Sequence, residues 1–150
     1  MSAETEVRAA STQFYGALSR MANGDPGPVS AICSHGSTIT TMHPIGGREV
    51  GWAQVEGPWG QVAHLASDGK IGLRDQLLRV VGDVAWEVGV EYGEFKLAGR
   101  PVSVEHRVTN IYQREGEGWK LVHHHTDASP AMQEVLKQLQ VASEPSASRA

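Results

Sequence analysis

A single cysteine, Cys33, stands among the 150 residues, so no disulfide can close within the chain and no multi-cysteine zinc site can form. Cys33 itself reads as a small buried residue of a short helix rather than as a nucleophile. No stretch approaches the roughly 20 consecutive apolar residues that a membrane-spanning helix needs. The opening MSAETEVRAAS lacks the basic start and apolar stretch of a secretory signal. A cytoplasmic protein with no membrane role is therefore expected. Basic blocks are missing too: 13 Lys and Arg against 17 Asp and Glu give a net charge of −4, spread without the clustering of a nucleic-acid footprint. Small molecules and protein partners remain.

What is present is an ordinary globular balance, 40% hydrophobic and 20% charged residues, at the size of one domain. Residues 1–139 read as that domain, and 140–150, small and polar with a proline, as a disordered tail. Val7, Ala10, Phe14, Leu18 and Met21 recur at three and four residue steps and predict a helix from about Glu4 to Ala22, closed by Asn23-Gly24. DPGPVSAICS predicts short helical turns with Asp25 as N-cap, and STITTMHP a strand. Val50, Trp52, Val55, Trp59 and Val62 keep helical spacing across Pro58, so a kinked helix is expected there.

From Lys70 to Asp127 the chain reads as sheet. Leu73, Leu77 and Val81 mark one face of a first strand. Trp86, Val88, Val90 and Tyr92 alternate with Glu87, Gly89 and Glu91 in the next, the pattern of a strand with its apolar side buried. Turns at Gly82-Asp83, Gly99-Arg100-Pro101 and Gly116-Glu117-Gly118 make these strands antiparallel. Ser129-Pro130 opens a last helix with Met132, Val135, Leu136 and Leu139. This order of elements is α+β, with helices on one face of a curved, mostly antiparallel sheet.

That order, the strand ending TTMHP, the GGREVGW opening of the third helix, the HRVTNIYQRE strand and the ending GWKLVHHHTD together resemble the SnoaL-like, or nuclear transport factor two-like, superfamily. Its members include ketosteroid isomerases and the association domain of calcium/calmodulin-dependent kinase. The likeness spans roughly Val7 to Leu139. It implies a cone-shaped domain whose strongly curved sheet wraps the N-terminal helix around a pocket, with three main helices plus a C-terminal one, and a homodimer formed through the outer sheet face. It does not by itself imply one activity.

The histidine triplet is interior and continues a strand, so it is no affinity tag. Side chains alternate, which puts His123 and His125 on one face and His124 on the other. Pairing Arg114 with Trp119 sets Asn110 opposite His123 and Val108 opposite His125, with His106 on the same face; a one-residue bulge would reverse the grouping. His123 and His125 with His106 or His43 offer three zinc ligands, but the spacing is no helical zinc motif and no metal is expected. The plainer alternative is that one face of the strand lines the cavity or the dimer interface.

His43-Pro44 occupies the place where, in ketosteroid isomerases, a catalytic aspartate precedes a proline. An imidazole with an ordinary pKa of about 6.5 can still act as a general base there, or it simply bonds a loop carbonyl. Tyr15 lies off the family spacing, so no oxyanion role is carried to it. Arg107 requires Glu87, Glu91 or Glu105 if it points inward, favours an anionic ligand if none reaches it, or forms a surface salt bridge if it points outward. Trp52 and Trp59 share a helical stripe and, with Tyr92 and Phe14, suit a pocket wall or plain core. Asp127 suits orienting His125 or capping the final helix.

The expectation is a homodimeric pocket protein taking a small, mainly apolar organic ligand. Any chemistry would be cofactor-free proton transfer, that of an isomerase, cyclase or dehydratase. His43 serves as base, His125 and Arg107 polarise or anchor a carbonyl or carboxylate, and Trp52, Trp59, Tyr92, Phe14, Asn110 and His123 contact the substrate. The alternative is a non-catalytic ligand-binding or association module of the same fold.

Overall fold

A computed structural model describes residues 2–143. Helix α1 (Ala3–Met21) starts at Ser2, whose Oγ accepts from the Thr5 amide at 3.1 Å, and buries the apolar stripe Val7, Ala10, Phe14, Leu18 and Met21. A six-residue helix α2 (Gly27–Ile32) follows, capped at Pro26, while the Asp25 carboxylate accepts from the Gly27 amide instead. Strands β1 (Thr40–His43) and β2 (Gly46–Val50) lead into α3 (Trp52–Leu65), a continuous helix with Pro58 inside it. Four long strands come next: β3 (Ala66–Val81), β4 (Val84–Leu97), β5 (Arg100–Glu115) and β6 (Gly118–Thr126). Helix α4 (Pro130–Ser143) closes the fold, with Ser129 Oγ accepting from the Met132 amide as its cap. The tail expected from 140 is helical to Ser143, and residues 144–150 lie outside the described residues.

The sheet runs β2-β1-β6-β5-β4-β3 and is mixed, because β1 lies parallel to β6 while every other pair is antiparallel. It curves over α1 without closing. Two bulges in β3, between Ser67 and Lys70 and between Arg74 and Leu77, supply that curvature; Asp68 (φ 53°) and Asp75 (φ 58°) take left-handed backbone there. Ser19 Oγ on α1 donates to the Ile71 carbonyl at 3.1 Å and accepts from the Ile71 amide at 3.0 Å, which stitches the helix to the concave side. At Gly93 the strands come so near that a Cβ would strike the Lys70 carbonyl oxygen.

The polarity of β4 is the reverse of the expected one. Its apolar residues Val84, Trp86, Val88 and Tyr92 are exposed on the outer face with Leu77 and Val81, whereas Ala85, Glu87, Glu91, Phe95 and Leu97 are buried. Alternation gives the period of a strand but not which side meets the core; here α1 fills the concave side, and the glutamates find hydrogen-bond partners there. Among the described residues, no helix is long and apolar enough to cross a membrane.

Candidate functional site

Pairing across the sheet brings the inward polar residues into rows. The tight Ala98-Gly99 turn, with φ of 50° and 81°, closes the β4–β5 hairpin at Leu97 opposite Arg100, and this sets Glu91 opposite His106 and Glu87 opposite Asn110. Across β5 and β6, Arg114 pairs with Trp119 as expected, but the register shifts where Tyr112 faces Leu121 and Ile111 faces His123. Val122 is the extra residue. Beyond it the face alternation flips, so Asn110 faces His124 and not His123, and His125 sits opposite Thr109 rather than Val108. His124 is buried, His123 half-buried and His125 exposed. β1 then adds Thr41 beside His124, with His43 at the strand end.

Of these residues His43, Glu91, His106 and His124 border a small, narrow cavity between α1, α3 and the sheet. Its apolar wall includes Leu18, Ile71, Phe95, Val104 and Trp59; its polar groups are His43, Glu91, His106 and His124. His106 Nε2 lies 2.9 Å from Glu91 Oε1, and the Tyr15 hydroxyl donates to Glu91 Oε2 at 3.0 Å. Asn110 Nδ2 reaches both the Tyr15 hydroxyl and Glu87 Oε1 at 3.0 Å, and Asn110 Oδ1 lies 2.6 Å from His124 Nδ1. Glu87 also accepts from Tyr112 at 2.7 Å and from Gln76 at 2.8 Å. Two wholly buried carboxylates are thus held without an Arg or Lys, by hydroxyl, amide and imidazole groups.

Electrostatics follow from this burial. Desolvation, then repulsion from His124, pushes His43 down to about 3, and desolvation pulls His124 down to about 4. Both rings are neutral at neutral pH. Burial opposes ionisation of Glu91, yet the hydrogen bonds from His106 and Tyr15 help to hold its carboxyl below the usual range. Among the described residues, His43 Nε2 has no hydrogen-bond partner; Glu49 Oε1, on a carboxyl that burial raises, lies 3.9 Å away. Trp59 Nε1 and His106 Nδ1 are likewise buried without partners. The His43 and Trp59 rings meet edge-on at 4.5 Å, and His124 is 5.5 Å from Trp59 and 5.8 Å from His43.

Of the residues singled out from sequence, His43 and Trp59 line this cavity, while Phe14 packs behind Trp59 and His124, and Asn110 bonds His124 from behind. Arg107 does not: its side chain is 84% exposed on the outer face and forks onto Asp127, at 2.8 and 3.0 Å. Those hydrogen bonds pull Asp127 down to about 2 and raise Arg107. So Asp127 neither orients His125 nor caps α4. Glu105 pairs with Arg74 at 2.9 Å instead of Arg107. His125 and Tyr92 face outward, His123 bonds Thr40 at 2.7 Å, and Trp52 stacks on His35 at 4.1 Å away from the cavity lining. Glu91, His106 and His124 line the cavity instead, with the Tyr15 hydroxyl bonded to Glu91. Counting back from the Leu97–Arg100 pair finds Glu91 opposite His106; nothing in the sequence marks the bulge at Val122 that turns His124 inward.

Among the described residues, no cluster of three His, Cys, Asp or Glu side chains is placed to hold a metal ion. A family described as SnoaL-like domain matches residues 7–132. No curated protein matches the chain. Several solved structures share its fold. One is a candidate dehydratase of the NTF2-like family from Streptomyces avermitilis, with 24% identity, a TM-score of 0.74, and coverage of 85% of this chain and 96% of that one. Another is a nuclear transport factor 2-like superfamily protein from Salmonella enterica, with 18% identity, a TM-score of 0.72, and coverage of 87% and 95%. A third is the calcium/calmodulin-dependent kinase II hub of S. rosetta, with 20% identity, a TM-score of 0.68, and coverage of 86% and 98%. At these identities the likeness shows the fold alone.

Proposed function

We infer that the chain, which belongs to the SnoaL-like domain family, is a small-molecule pocket protein that moves a proton on a mainly apolar substrate without a cofactor. The observation that carries this reading is the convergence of His43, His124 and the hydrogen-bonded Glu91–His106 pair on one otherwise apolar cavity. Such a group has the parts of acid–base chemistry: a carboxylate that can take a proton, an imidazole that can pass it on, and neutral imidazoles whose lone pairs can orient a polar group. His43 and Glu91–His106 serve as two proton-transfer stations. One removes hydrogen from a carbon beside a carbonyl and the other returns it elsewhere on the molecule, which is an isomerisation, or assists loss of water, which is a dehydration. His43 is a weak base in its dry setting, so its role is restricted to protons already made acidic by a neighbouring carbonyl.

The test is exchange of carbon-bound hydrogen. With 2-tetralone in D₂O followed by proton NMR, the wild-type protein should accelerate loss of the signal beside the carbonyl. His43→Ala and Glu91→Gln should each lower that acceleration by about 10²–10⁴-fold with the fold unchanged by circular dichroism. A wild-type rate equal to that of buffer would sink the reading.

One observation favours a second role beside the first. Leu77, Val81, Val84, Trp86, Val88 and Tyr92 form an exposed apolar face on the convex side of the β3–β4 hairpin, of the kind that marks an association surface. A homodimer through this face accommodates the cavity on the opposite side, and it also accommodates an association module whose cavity is idle.

A further inference from the structure

We propose that Asn110 fixes His124 as the Nδ1–H tautomer, so that its Nε2 lone pair serves the cavity as acceptor for an O–H or N–H group of an uncharged ligand. Hydrogen-bond directions force the first half. The ionised Glu91 carboxylate has no hydrogen to give, so the Tyr15 hydroxyl donates to it at 3.0 Å. The Tyr15 oxygen therefore accepts from Asn110 Nδ2, at 3.0 Å. The second amide hydrogen goes to Glu87 Oε1, also at 3.0 Å, an oxygen that already accepts from Tyr112. With both amide hydrogens engaged on that side, the atom 2.6 Å from His124 Nδ1 is the amide oxygen, which only accepts. Nδ1 must carry the hydrogen. A neutral imidazole has one, so Nε2 is bare.

The second half follows from the surroundings. His124 lines the cavity, and its Nε2 makes no hydrogen bond to any described residue. The ring sits among Phe14, Trp59 and His43, with centroids 5.3, 5.5 and 5.8 Å away, so its surroundings are aromatic and mainly apolar. Among the described residues, no Lys or Arg lines the cavity, Glu91 brings negative charge, and Arg107 is outside and occupied by Asp127. An anionic ligand would lose its hydration and gain no cation there. The fit is to an uncharged, apolar molecule with a hydroxyl or N–H group, such as an enol, phenol or alcohol. This half rests on the cavity being a small-molecule site; the tautomer does not.

The long-range proton–nitrogen correlation spectrum of the full chain labelled with ¹⁵N-histidine reads the tautomer without any ligand. At neutral pH, His124 should show the Nδ1–H pattern, and Asn110→Leu should turn it to Nε2–H; the Nε2–H pattern in the wild-type protein would overturn the proposal. If Asn110→Leu fails to fold, the wild-type spectrum decides alone. Binding of 2-naphthol, 2-methoxynaphthalene and 2-naphthoate is then compared by calorimetry. 2-Naphthol should bind at least about tenfold tighter than either of the others, the value of one hydrogen bond to a buried acceptor. Equal binding of the ether or the carboxylate would overturn the acceptor role. No binding by any of the three, with Nδ1–H in place, would overturn the ligand half together with the small-molecule reading of the cavity, and leave the tautomer standing.

Discussion

Two neutral imidazoles in the interior set a lower pH limit for the fold. A free histidine protonates near 6.5, whereas folded His43 holds off to about 3 and His124 to about 4. Between those values the unfolded chain binds protons that the folded chain refuses. Stability is therefore full above about pH 6.5 and declines as pH falls toward 4, by up to about 1.4 kcal/mol per pH unit for each group. Urea midpoints taken at pH 7 and pH 5 should differ clearly in the wild-type protein and by less in His43→Leu; equal differences would mean that His43 is not buried neutral. At this scale the sequence was only partly legible. His43 stands out because it ends a strand before a proline, but the alternation of β4 sets Glu91 on the side away from its apolar row, since a carboxylate is ordinarily an outward group, and the expected register groups His106 with His123 and His125 rather than with Glu91.

The strands carry the lesson at the next scale. Helices α1 and α3 follow from their apolar spacing, because a helix stripe names its own buried side. β4 has no such property: its apolar and polar rows differ in composition, yet the curved sheet buries the row with Glu87 and Glu91 and exposes the row with Trp86 and Tyr92. A strand covered on both sides in an assembly leaves its inner side open to either choice. Curvature is built by bulges, and those in β3 have Asp at left-handed positions that no hydrophobic pattern signals. Close strand approach gives a direct check. Gly93→Ala sets a Cβ against the Lys70 carbonyl, a backbone atom that cannot rotate away, so it should destabilise by about 1–3 kcal/mol, whereas Gly57→Ala, on an open helix position with nothing near its Cβ, should not. Equal thermal stability of the two variants would contradict the close packing of β3 on β4.

For the whole molecule, the exposed apolar convex face is the feature on which the proposed dimer rests. A stable interface buries about 800 Å² per partner, and the apolar patch runs along two long strands, β3 and β4. Trp86 is among its largest side chains, and placing a charge there would bury an unpaired carboxylate between copies. The wild-type protein should sediment as a dimer, and Trp86→Glu as a folded monomer with the cavity-facing hydrogen bonds intact. A monomeric wild type at micromolar concentration would remove the face from the account. The resemblance anticipated the fold; what it could not anticipate is which polar groups this chain sends inward, since that hangs on the local register of β6.

The single extra residue in β6, Val122, decides which imidazole enters the interior. Because three identical residues follow it, sliding the strand by one position exchanges His124 for His123 or His125 and still delivers a ring to the same place. The triplet is thus a form of redundancy: an insertion or deletion in the preceding turn would alter the alignment of every other residue in the strand while conserving the chemistry at the cavity floor.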